Sequence, residues 1–282
     1  MSVPQVAQSY TAGLLRDVGL PLVAVVGTLL LPFQWILILF IVTGHAHFLM
    51  AYIYQARAGK MDKGYLLLAL LTLLLLGSYL FYAGNFIVLV LAVGLLFSAH
   101  FAYDEFTLHG EKPTLENFAL VLGFSLFFLS LVASYMFPGQ SLLIVLAFGI
   151  AAVTALVRLG ISRKPISRTE TYLVFIMLLI AILAVGFQVP ERVLGVIVLL
   201  HVANWYVSFG VRLRANPARA RKYWLEVAAT LTFFVGLFLL FTVFHVEILR
   251  LVFGAAFYYA WAIAHIVLSF YTSIARRNVV AT

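Results

Sequence analysis

The sequence predicts an all-α fold. It reads as a polytopic integral-membrane helical bundle of about ten transmembrane helices, nine if the N-terminal one does not span, with both termini cytoplasmic. Three observations predict it. The 282 residues are 65% hydrophobic and 10% charged, against about 45–50% and about 25% in soluble domains. Mean hydropathy is +1.10. The apolar residues also fall into runs of the roughly 20 residues that a helix needs to cross hydrocarbon.

Cutting the chain at charges, Pro and Gly gives each segment in turn. Residues 12–31 and 34–56 belong to one apolar stretch broken around Leu31–Pro32, too long for a single span. Arg57, Lys60 and Lys63 end the second segment, and 64–83 follows. A turn at Asn85 leads into 86–107, which gives way to the loop carrying Lys112. Segment 114–136 stops at Pro138-Gly139, and 141–159 runs into Arg158, Arg163 and Lys164. Segment 169–187 starts after Arg168, and 192–212 lies between Arg192 and Arg212. Arg219, Arg221 and Lys222 precede 223–244, and 248–274 closes before Arg276 and Arg277. No basic stretch precedes the first apolar run, so no cleaved signal peptide is expected. No linker or repeat divides the chain, which reads as one transmembrane domain, 1–282.

The net charge of +8 is then loop charge rather than a nucleic-acid footprint. Ten spans from a cytoplasmic N-terminus put 16 of the 18 basic residues on one side, Arg16 and Arg214 among them, leaving Arg192 and Arg250 opposite. The positive-inside rule makes the crowded side cytoplasmic. This composition excludes soluble enzymes and nucleic-acid modules. With no cysteine, any metal must be held by His nitrogen or by oxygen.

Of seven histidines, His109 and His245 fall in loops and read as solvated. The other five lie within segments two, four, eight and ten. Counted to the next basic residue at the cytoplasmic end, His45 and His47 lie 12 and 10 residues from Arg57, and His100 lies 12 from Lys112. His201 is 11 from Arg212 and His265 is 11 from Arg276. Eleven residues of helix rise roughly 16 Å, about half the hydrocarbon core. Four helices thus carry imidazoles at one level, where polar side chains are costly and usually functional. Neutral imidazole suits iron, copper or zinc. The reading is a shared metal held by His47, His100, His201 and His265. His45 faces about 200° away from His47 on the same helix and is a fifth or alternate ligand. Asp104, four residues after His100, and Asn204, three after His201, would orient the ligand rings. Tyr52, Tyr103, Trp205, Tyr258 and Trp261 could line an apolar substrate cavity. All five lysines lie in loops, so a retinal Schiff base has no anchor. Three-residue histidine boxes, paired DxxxD, GxSxG and HExxH motifs are absent.

These residues resemble those of the Brp/Blh-type β-carotene 15,15′-dioxygenases of bacteria and archaea. Gly44-His45-Ala46-His47 is similar to that family's early G-x-P-H, and Ser98–Phe106, with His100 and Asp104 or Glu105, to its H-F-x-x-x-D stretch. His201–Trp205 stands at its H-x-x-x-H and Ala264-His265 at its late P-H. The departures are Trp205 in place of the second histidine, Ala46 and Ala264 in place of the prolines, and apolar Phe48-Leu49-Met50 where an acid usually follows. His45 would compensate for the histidine replaced by Trp205.

The resemblance implies a multi-pass protein of a prokaryotic inner membrane holding Fe(II), with a carotenoid and O₂ as substrates and two retinals as products. Two other readings stay open: a membrane haem b, copper or zinc protein without oxygenase activity, and a transporter or scaffold whose histidines only join helices. No nucleic-acid partner is expected.

Overall fold

The computed structural model describes residues 13–82, 85–112, 114, 117–137, 139, 141–157, 165–187 and 190–279. Arg158, Arg163, Lys164 and Pro138 lie outside the described residues, as do the side chains of Arg276 and Arg277. Described residues form eleven α-helices and no strand. These are α1 Leu20–Leu30, α2 Phe33–Arg57, α3 Lys63–Tyr82, α4 Phe86–Leu108, α5 Phe118–Met136 and α6 Ser141–Leu156. They continue with α7 Arg168–Gly186, α8 Pro190–Arg212, α9 Pro217–Thr242, α10 Arg250–Phe253 and α11 Ala255–Val279.

Seven of them, α2, α4, α5, α7, α8, α9 and α11, are long and apolar enough to cross a membrane. That is the inventory of a multi-pass integral membrane protein. They are apolar on all sides, and such segments become helical in lipid because every backbone donor and acceptor is then satisfied internally. Among the described residues the first, third and sixth predicted segments supply shorter apolar stretches, although α3 itself runs 20 residues. α1 has 11 residues, and the apolar parts of α3 and α6 are Lys63–Tyr79 and Leu142–Leu156.

The chain divides into two compact units, Met1–Phe40 with Phe101–Glu226, and Ile41–His100 with Val227–Thr282. The division passes through α2, α4 and α9. In the first unit α6 packs on α5 and α7, and α8 packs on α1, α5 and α7. A Cβ at Gly123 of α5 would collide with the Thr154 hydroxyl of α6, so glycine sets that close approach. α7 begins with a capping box in which Ser167 accepts from Glu170 N–H at 3.2 Å and Ser167 N–H donates back to Glu170 at 2.9 Å.

α1 continues a helix that starts at residue 13 and contains a π-helical turn, Leu15–Gly19. There Leu20 N–H reaches back to Leu15 O. Pro21 is the physical cause: its ring crowds the carbonyl four residues earlier, and the helix widens to relieve it. This helix lies along α8 and is tied near both of its ends. Arg16 donates to Leu108 O at 3.2 Å and to the Ser208 hydroxyl at 3.4 Å. Arg192 donates to Thr28 O at 3.3 Å and Leu31 O at 3.4 Å. In the second unit α11 packs on α3 and α10.

Candidate metal centre

Three of the five mid-helix histidines meet in the second unit. His265 on α11 is the common member. Its ring centroid lies 5.0 Å from that of His47 on α2 and 5.5 Å from that of His100 on α4. All three rings are buried. Two imidazoles bound at about 2.1 Å to one tetrahedral ion have centroids roughly 5.4 Å apart. The centroid spacing falls near that value and the rings meet nearly edge to face, at 71° and 83°, but among the described residues the group whose ligand atoms all lie within 4.8 Å of one another is His100, Asp104 and His201 instead. Apolar and aromatic groups wall the cluster. Phe48 lies 4.9 Å and Tyr52 6.0 Å from the His265 ring, and Phe270 lies 5.8 Å from His100.

His45 stands apart from this group. Its Nδ1 lies 2.7 Å from Ile41 O and its Nε2 3.1 Å from Val252 O. Phe234, Phe253, Tyr258 and Trp261 surround the ring at 5.1–5.4 Å. Both His45 nitrogens face backbone carbonyls, a neutral ring donating to one of them, so the structure places His45 away from the ring cluster and not at the fifth or alternate ligand position expected from the sequence. His47 joins the cluster from a continuous α2 helix. Gly44 admits the Tyr258 hydroxyl, which a Cβ would strike.

In the first unit Asp104, half-buried on α4, and buried His201 on α8 offer ligand atoms within 4.8 Å of each other. His100 precedes Asp104 by one turn of the same helix and offers a nitrogen within the same distance of it. His100, Asp104 and His201 thus supply a His–Asp–His donor set that could hold a metal ion. Asp104 was expected to orient a ring, and here it takes the position of a donor. The His201 ring also packs against Phe101 at 5.5 Å.

Asn204 has different work from the orientation of His201 that its spacing suggested. Its amide donates to Glu105 at 3.1 Å and to the Tyr172 hydroxyl at 2.5 Å, all three being buried. Its carbonyl oxygen has no hydrogen-bond partner, so it does not hold the His201 ring. Among the residues expected to line a cavity, Tyr52 lies beside His265, while Tyr258 and Trp261 enclose His45. Trp205 stacks on Phe209 in the first unit, and Tyr103 is half-buried on α4.

The polar network beyond Asn204 was not anticipated. His109 is no solvated loop residue, because its imidazole is fully buried. Its Nδ1 lies 2.7 Å from Glu105 O and 3.6 Å from the Glu105 carboxylate, and its Nε2 lies 3.4 Å from Asp17. Asp17 also pairs with Arg16 at 2.8 Å and with Arg168 at 2.5 Å. One signal was available in the sequence, the placing of Arg16 and Asp17 inside an apolar run, where charges demand partners.

Comparison of the chain with protein-family models, curated proteins and solved structures finds no match.

Proposed function

We propose that the chain is an integral-membrane, non-haem iron oxygenase that acts on a long apolar lipid, most specifically a carotenoid whose central double bond it cleaves with O₂. The observation that supports this reading most is the His100, Asp104 and His201 group, whose ligand atoms lie within 4.8 Å of one another, with the His47 and His265 rings packed beside His100. The donors His100, Asp104 and His201 add support by their type, since two histidines and one carboxylate are the donor set of non-haem Fe(II) oxygenases. On this reading His47, His100, His201, His265 and Asp104 are the ligand candidates, in a ten-span bundle with cytoplasmic termini.

Iron(II) with such donors keeps coordination positions open for O₂ and supplies its activation. The chain's own residues do the rest. Phe48, Tyr52 and Phe270 give the ring cluster an apolar wall, suited to packing on a polyene and to excluding water. The substrate resides in the bilayer and would enter between helices. In the cleavage one C=C bond is lost and two C=O bonds form, each taking one oxygen atom from O₂, so no external electron or proton donor is required.

The haem alternative has less support. Axial imidazoles on one haem iron stand roughly 6 Å or more apart with a porphyrin between them, whereas these centroids are separated by 5.0 Å and 5.5 Å. The function is tested by expressing the chain in β-carotene-producing cells. Bleaching with accumulation of retinal, lost in His100→Ala, is the expected result. Persistent colour with iron bound to the purified protein would reject the carotenoid while keeping the metal. A Soret band would favour haem.

A further inference from the structure

We propose that the turn from Arg212 to Lys222, together with Trp224, is a docking surface for the headgroups of anionic phospholipids in the cytoplasmic leaflet. Positions 212–222 carry five basic residues, Arg212, Arg214, Arg219, Arg221 and Lys222, and no acid. All five are exposed. Arg212 caps the end of α4, donating to Thr107 O at 2.9 Å and Leu108 O at 3.4 Å. Among the described residues no carboxylate pairs with Arg214, Arg219, Arg221 or Lys222.

Local contacts hold the backbone of the turn. Asn216 accepts from Arg219 N–H at 3.1 Å at the start of α9. One turn on, buried Tyr223 donates its hydroxyl to Tyr206 O at 3.0 Å. Trp224 then lies across Gly210, where a Cβ would sit 2.5 Å from its ring. That contact leaves Trp224 45% exposed, at the depth where amphipathic rings meet headgroups.

A second observation points to lipid as the occupant. The apolar window of α9 is 11% buried, against 44–61% for the other six long apolar helices. The helix leading from the basic turn is therefore surrounded chiefly by acyl chains, and the headgroups of those same lipids lie beside the unpaired cations. Basic clusters at the cytoplasmic end of a span attract anionic headgroups, each cation contributing about fivefold near the surface. The surface does not depend on the metal reading.

The test uses the full chain in phosphatidylcholine vesicles with an equal mole fraction of brominated phosphatidylglycerol or brominated phosphatidylcholine. Trp224 emission is isolated by difference from Trp224→Phe. Brominated phosphatidylglycerol is expected to quench Trp224 with a preference of about fivefold or more, falling as salt rises. The preference should shrink stepwise in the pairs Arg214→Gln/Arg219→Gln and Arg221→Gln/Lys222→Gln. Should those variants misinsert, the salt dependence of the unaltered chain decides alone. Equal quenching by both lipids at low salt would overturn the proposal. So would loss of the preference on adding inorganic phosphate at constant ionic strength, which would assign the surface to a soluble anion.

Discussion

His45 and His47 have one residue between them, and about 200° of helix rotation sends their rings into different chemistry. His47 faces His265, whereas His45 spans the carbonyls of Ile41 and Val252 inside four aromatic rings. His45→Ala should therefore keep the metal and lower stability by about 2–4 kcal/mol, through a cavity and a lost link between α2 and α10. His265→Ala should lose the metal. Metal content and thermal midpoint, measured on both variants together, check this, and the opposite pattern would reverse the two roles. That the His47 and His100 rings come beside His265 was legible, because a fixed rise per residue gives all three nearly the same distance from the basic helix ends. The partners of Asn204 and His109 were not, since Tyr172 and Asp17 come from distant helices whose rotation no spacing encodes.

At the level of elements, every predicted segment forms helix over most of its described residues, because an apolar run leaves its backbone no other partner in lipid. Their interruptions were less legible. Pro21 produces a π-helical turn without ending the first helix. In the last segment a 3₁₀ turn, Glu247–Leu249, and α10 precede a break at Gly254. That break brings Val252 O to His45. The approach of α2 to α11 is set by Gly44 under the Tyr258 hydroxyl. Gly44→Ala should cost about 1–3 kcal/mol by overpacking, and adding Tyr258→Phe should restore part of the loss. A non-additive double-mutant cycle in thermal unfolding is the expected outcome. Strict additivity would mean that the contact does not limit the packing.

For the whole molecule the proposed orientation rests on the charge distribution, and the first helix, the ambiguous one in the sequence, runs along α8 with Arg16 near one end and Arg192 near the other. Arg192 is one of two basic residues assigned to the outer side, and its guanidinium there serves the carbonyls that end α1. The chain has no cysteine, so single-cysteine variants report topology directly. Lys60→Cys, Lys112→Cys and Arg214→Cys should react with an impermeant maleimide only from the cytoplasmic side, and Phe187→Cys and His245→Cys only from the outer side. Labelling of all five from one side would refute the ten-span path. The proposed function rests on the histidine-rich group binding a metal, and elemental analysis of purified protein tests that most directly. We predict close to one equivalent of iron per chain, falling to background in His47→Ala, His100→Ala and His265→Ala. A folded wild-type protein without stoichiometric metal, or with metal that all three substitutions leave in place, would contradict the account.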